Sequence, residues 1–240
     1  MIRALPVTAI TLRGLLDQRR FWMMVLLAAV PLLLTLIARA FGEAEFGAEV
    51  FDRLMVQTVL PLVALVFGTA ALGPELEDGT IVYLLAKPGR RARIVLAKAL
   101  VAAGITAALV VPSTLVTGII LTTFEPDILE TTVAYTVAVA VGGSAYALGF
   151  MALSSFTSRA LSMGLGYVLL WVGVLAGLLP GTQTFSVRQA TLGLAAMLGA
   201  DTGSDPLDPS TAVTVLAVVI IGSLVLASWR LSRFQLRGGD

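Results

Sequence analysis

The stretch GPELEDGTIVYLLAKPGRRARIVLAKAL, Gly73 to Leu100, is the long break in an otherwise apolar chain where charges of both signs gather. Three acids, Glu75, Glu77 and Asp78, come first. A Gly79-Thr80 step and a short apolar run follow, then Lys87, Pro88, Arg90, Arg91, Arg93 and Lys98. Working outward, charge disappears for the length of a bilayer again and again. Charge-free runs cover 21–38, 54–74, 99–124, 131–158, 160–187 and 209–229. At a rise of about 1.5 Å per residue, roughly 20 residues cross the hydrocarbon layer. Six runs therefore predict six spanning helices: 21–41, 54–73, 94–124, 131–156, 160–179 and 211–229. The fold class is all-α integral membrane, with residues 1–240 as one transmembrane domain. Hydrophobic residues make up 58% of the chain and charged ones 13%, against roughly 45–50% and about 25% in a soluble domain. The rival, a greasy soluble bundle, would have to bury more apolar surface than a chain of this length can hide.

The ends of these runs carry their own signals. In residues 1–20, Leu5, Leu12, Leu15 and Leu16 share one side at helical spacing, with Arg3, Arg13, Asp17 and Arg20 on another. That pattern predicts a helix lying in the membrane interface. A cleaved signal peptide is the weaker reading, because the apolar run begins only at Phe21 and continues through Pro31. Phe21-Trp22 are aromatic anchors for the headgroup level. Pro31 and Pro61 sit inside the first two spans; each frees a carbonyl, giving a bend or, on a sharper reading, a hinge. Residues 42–53 read as an acidic outer segment, Glu43, Glu45, Glu49 and Asp52 answered by Arg53. A solvated rim is expected there rather than a cation site.

The third span, from about Arg93 to Phe124, exceeds a bilayer and must tilt or protrude. Arg159 marks a very short return between the fourth and fifth spans. The fifth stops at Pro180-Gly181. Within 182–210, residues 189–200 are apolar but too few to cross, which predicts a re-entrant or surface-lying segment before the last span. Gly142-Gly143, Gly149, Gly164 and Gly166, with Gly173 and Gly177 at GxxxG spacing, let helix backbones approach. Two readings stay open for them: packing within the chain, or a homodimer seam along the fifth helix at Gly166, Gly173 and Gly177.

Orientation follows from the cations. With both termini in the cytoplasm, all of the 16 Lys and Arg lie inside except Arg39, Arg53 and Arg188. The positive-inside rule selects that arrangement in the cell membrane. The chain has no Cys and no His. Thiolate metal sites, disulfides and histidine bases are thereby excluded. The net charge of +1 gives no bulk pull on nucleic acid. No charge lies deep in any run, as an ion-coupled carrier would need, and no loop reads as a channel filter. Ser154, Ser155 and Ser158 lack a positioned Lys, so they are expected to bond helix backbones. The chain is expected to bind no metal and no cofactor, to catalyse nothing, and to receive energy from a partner at 74–93.

The order Glu75-Leu-Glu77-Asp78-Gly79-Thr80, then Leu84-Leu85, Pro88, Arg91, Ile94 and Lys98, resembles the first cytoplasmic loop of ABC-2 type transporter permeases. It is similar in particular to the compact kind without a fused ATPase, which includes the permease of nitrous-oxide-reductase copper-site maturation. That pattern is E-x-E-x-G-T, then L-L, P, R, and K about seven further on. Gly89 departs from it, standing where Ile or Val is usual. The resemblance covers topology too: an interfacial N-terminal helix, six spans, and a re-entrant piece before the last.

The resemblance implies a permease subunit, an exporter, working as a dimer with a second copy. ATP and Mg²⁺ would be bound on separate cytoplasmic ATPase subunits. It implies a coupling loop in which Glu75, Glu77, Asp78, Gly79, Thr80, Leu84, Leu85, Pro88, Arg90, Arg91 and Lys98 take part. The residues agree physically: acids near a helix start suit its positive end, Gly79 supplies a tight point, Pro88 breaks a helix, and the arginines pair with a partner's acids or with anionic lipid. Two other readings are a membrane scaffold or immunity-type protein without transport, and an ion-coupled carrier.

Overall fold

The computed structural model describes residues 18–41, 49–77, 91–122, 128–170, 186–203 and 205–232. The described residues are helical, with turns and no strand. α1 (Gln18–Phe41) is followed by a π-helix (Val50–Val59) that runs without a break into α2 (Leu60–Glu77). Then come α3 (Arg91–Leu121), α4 (Ile128–Ser154) and α5 (Ala160–Gly166). α6 (Val187–Met197) and α7 (Pro209–Ser232) complete the order.

Five of these helical stretches are long and apolar enough to cross a membrane: Phe21–Phe41, Val50–Gly73, Arg93–Leu121, Ile128–Ser154 and Pro209–Ser232. α5 stands where the fifth of the six expected spans begins, and its apolar helix reaches Leu170 in wider turns. Residues 171–179, the rest of that expected span, lie outside the described residues, as do the interfacial segment 1–17 and loop residues 78–90. α1 already includes Gln18.

The second and fourth spans are the centre of the bundle. Their apolar windows are 67% and 61% buried, against 17% and 22% for the first and last. α1 and α7 turn Trp22, Leu26, Leu33, Ile37, Val218, Ile221 and Val225 outward. So much uncovered apolar surface suits hydrocarbon, not water. The core between them is built from Phe51, Phe67, Leu60, Leu65, Tyr135 and Met151.

Close backbone approach does much of the packing. A Cβ on Gly68 would lie 2.5 Å from the Ala147 carbonyl oxygen. Gly142 leaves room for the Thr191 side chain, and Gly118 for Thr132. Hydroxyls bond back to their own helices, as Thr106 to Ala102 (2.9 Å) and Thr114 to Val110 (2.8 Å) do. Ser154 and Ser155 do the same with Met151 (2.8 Å) and Ala152 (2.6 Å), the bland reading of those serines. Ser113 instead crosses helices and donates to the Ala28 carbonyl of α1.

The π-helix has a local cause. Pro61 has no N–H for the preceding turn, and its ring crowds the carbonyl four residues back. The turn widens instead, and the Leu60 N–H donates to Met55, five residues back. The wide turns put Phe51, Asp52, Met55, Val56 and Val59 inside together.

The elements alternate in direction, giving the bundle two chemically different ends. One gathers the start of α1, the ends of α2, α4 and α7, and the starts of α3 and α5. Its described cations are Arg19, Arg20, Arg91, Arg93, Lys98, Arg159 and Arg230. The other holds Glu49, Asp52, Glu130, Asp201, Asp205 and Asp208, with Arg39, Arg53 and Arg188.

Candidate functional site

At the basic end, the helices α2 and α3 are the stems of the charged loop. α2 ends on Glu77 and α3 begins on Arg91. Glu75 and Glu77 therefore close a helix, and the expectation that they sit near a helix start is corrected for α2. An acid at a helix carboxyl end and a cation at an amino end both oppose the peptide dipole. Asp78, Gly79, Thr80, Leu84, Leu85, Pro88 and Arg90 lie outside the described residues.

Lys98 is not on the surface. It is 1% exposed, and its ammonium donates to the Ala71 carbonyl at 2.6 Å, joining the two stems from inside. Its share in any docking is thus as a strut and not as a contact. Lys98 stands just before the charge-free run 99–124, where an amphipathic lysine stem can be buried because its head finds a carbonyl.

The same end is pinned by the last helix. Arg230 donates from Nε to the Ser155 carbonyl at 3.3 Å and stands 5.8 Å from the centre of the Phe156 ring. Beside this lies a cavity of about 290 Å³ between α1, the end of α2 and the α4–α5 turn. Met23, Met24, Thr69, Ser154, Thr157 and Ser158 are among its walls. They offer hydroxyls and thioethers but no charge, so the space can house a group without transforming it.

The acidic end holds an arrangement that composition did not foretell. Asp52, expected in a solvated rim, is 3% exposed in the π-helix. Arg188 of α6 donates from Nη2 to its Oδ1 at 2.6 Å. The helix starts earlier than the charge-free run because its inner face accepts an acid once a guanidinium meets it. Arg53, by contrast, makes an exposed i,i+4 pair with Glu49 at 3.4 Å, the solvated behaviour expected. Removing one partner of a buried pair costs about 3–5 kcal/mol, so Asp52 and Arg188 fix the π-helix to α6.

α6 is stopped at both ends by local chemistry. Ser186 accepts from the Gln189 N–H at 3.5 Å, the S-x-x-Q pattern of a capping box. At the other end Ala200 N–H reaches Ala195 and Gly199 N–H reaches Ala196, with Gly199 at φ 94°. That is the glycine-closed helix end in which only a residue free of a Cβ is unstrained. The helix is therefore 187–197 rather than 189–200, and it packs within the bundle against α4 and α7. The helix is packed within the bundle and does not lie on its surface. It runs antiparallel to α4, from the Tyr146 hydroxyl, which faces the Arg188 amide, to Thr131, whose hydroxyl accepts from the Asp201 N–H at 3.3 Å.

Around the pair lie polar atoms with no partner: Arg188 Nε, Gln189 Oε1 and the hydroxyls of Tyr135 and Tyr146. Tyr135 stacks on Phe51 with centroids 5.0 Å apart, within electrostatic range of Asp52 and Arg188. An unsatisfied buried polar atom costs about 1–3 kcal/mol. Sequence reasoning missed this cluster. The signal that could have found it was Ser186-Val-Arg-Gln189, which places Arg188 in the first turn of a buried helix, against its dipole.

Of the glycines proposed as a seam, Gly166 meets nothing within 4 Å of a built Cβ among the described residues, so no described neighbour needs its smallness. Gly164 is packed against Leu65 and Phe150. Gly173 and Gly177 lie outside the described residues.

An all-helical bundle with five long apolar helices, an uncovered apolar belt and two charged ends defines a multi-pass membrane protein. Residues 17–173 match the family described as ABC-2 family transporter protein, well over half of the chain. The chain belongs to that family, and is a membrane transporter component. The match takes in α1 through α5 and ends before α6 and α7. No curated protein matches the chain.

Proposed function

We propose that this chain is the membrane subunit of an ATP-driven exporter that works as two copies, with separate cytoplasmic ATPase subunits docked on residues 75–93. Family membership carries this reading: a permease with no chemistry of its own needs work delivered from outside the membrane. The stems α2 and α3 support the docking place, since Lys98 ties them together and would pass a push on the loop into the bundle. ATP and Mg²⁺ are bound on the partner. The basic end faces the cytoplasm, following the positive-inside rule, with both termini on that side.

The test is co-purification after gentle solubilisation. An ATPase subunit is expected to come with the chain, and its stimulated hydrolysis to be lost in Glu77→Lys with Arg91→Glu. An ATPase complex with unchanged turnover in that variant overturns the docking assignment. If no ATPase accompanies the intact chain, the scaffold reading takes its place. The buried Asp52 gives the ion-coupled reading one specific support, weakened because Arg188 already neutralises it. That reading predicts transport that survives ATP depletion but not collapse of the ion gradient.

A further inference from the structure

We infer that the contact between the π-helix and α6 is the outer gate of the translocation path, with the Asp52–Arg188 pair as its latch. The Tyr135 and Tyr146 hydroxyls and the Gln189 amide oxygen are wall that opening bares to water. The inference rests on the transporter reading and goes beyond it, because α6 lies outside the stretch that carries the family match.

Two observations carry it. The first is the mismatch between the pair and its surroundings. The pair joins residues 136 apart in sequence at 2.6 Å, a strong charge-assisted bond. Beside it, Arg188 Nε, Gln189 Oε1 and two tyrosine hydroxyls lack partners. A permanent joint in a bundle has its buried polar atoms satisfied or replaced by apolar ones. Here the closed arrangement carries a charge-assisted bond while four neighbouring atoms would gain partners if water entered. That is the character of a contact made to be broken.

The second observation is the hinge behind the latch. The π-helix ends at Val59, two residues before Pro61, and its five-residue bonds are a wound-out form of the ordinary helix. Rewinding to four-residue bonds turns every residue before Pro61 about the helix axis and carries Asp52 out of line with Arg188. The change needs no unfolding of the stretch before it, since the carbonyls from Val50 to Met55 each exchange one backbone donor for another. Across from it, α6 is too short to span and closes its own ends, so its hold on the second span comes from side chains, the Asp52–Arg188 pair among them.

The absence of cysteine makes a direct test possible. Gln189→Cys gives a single thiol, probed in intact cells with a membrane-impermeant maleimide. Labelling is expected to be slow in that parent, to rise at least tenfold when Asp52→Asn is added, and to fall back in the charge exchange Asp52→Arg with Arg188→Asp. A rate within twofold of the parent in Asp52→Asn, in protein that still elutes as one intact species, overturns the latch. Should Asp52→Asn fail to fold, Arg188→Lys keeps the charge but not the Nη2 donor that reaches Asp52, and a several-fold rise is expected; no rise overturns the proposal equally. These rates need no ATPase. A latch that behaves as expected in a chain that recruits no ATPase would sink the transporter reading alone.

Discussion

Asp52 and Arg188 show how a single residue can be misplaced by a rule that is right on average. Acids next to an apolar run are usually solvated. Asp52 is not, because four more residues joined the helix and a guanidinium 136 positions later met it. Arg188→Gln alone is expected to destabilise the detergent-solubilised protein by about 3–5 kcal/mol, by leaving a buried carboxylate without its cation. Replacing both members with Leu and Met should return most of that, as thermal unfolding would show. A glycine pair makes the complementary prediction. Gly142→Val drives a side chain into Thr191 and should cost about 1–3 kcal/mol by overpacking. Gly166→Ala meets nothing and should stay within about 0.5 kcal/mol of the parent. If two copies meet along that helix, Gly166→Leu should instead lower the dimer fraction seen by cross-linking.

At the scale of elements, α7 carries a prediction about pH. Asp208 accepts from the Ser210 hydroxyl at 2.5 Å, and its backbone carbonyl takes the Ala212 N–H at the start of the helix. The Ser210 hydroxyl, with the Ser210 and Thr211 amides, holds the Asp208 carboxyl below the usual carboxylate range. A carboxyl lowered in the folded state stabilises above its ordinary value, and that contribution fades as pH falls through the lowered one. The amino end of α7 should therefore fray in acid. Amide exchange at Thr211 and Ala212 should accelerate there, and Asp208→Asn should remove most of the dependence. The long elements were legible in sequence because a bilayer demands an unbroken apolar run, and a run has a length that can be counted. What stayed hidden was whatever depends on a distant partner or a widened turn: the π-helix before Pro61, the inward Lys98, and the first two residues of α6. Their causes are local only in part. A capping serine can be read from a sequence, but the acid awaiting Arg188 cannot.

For the whole molecule, charge separates end from end, and that arrangement was legible before any coordinates because cations alone mark the cytoplasmic side. It predicts a simple labelling result. Asp205→Cys should react with an impermeant maleimide in intact cells, and Arg93→Cys only after the membrane is opened. The reverse pattern would place the loop 75–93 outside and end the docking proposal. The loop itself was legible as a segment and not as a geometry. Its stems turn out to set acids and an arginine against the dipoles of α2 and α3.

The capped ends of α6 bear on how the bundle can move. A helix whose first and last peptide groups find partners in its own flanking residues owes few hydrogen bonds to its neighbours. α6 is a stiff peg of fixed length, held in place by side-chain packing such as Thr191 against Gly142 and not by shared backbone bonds.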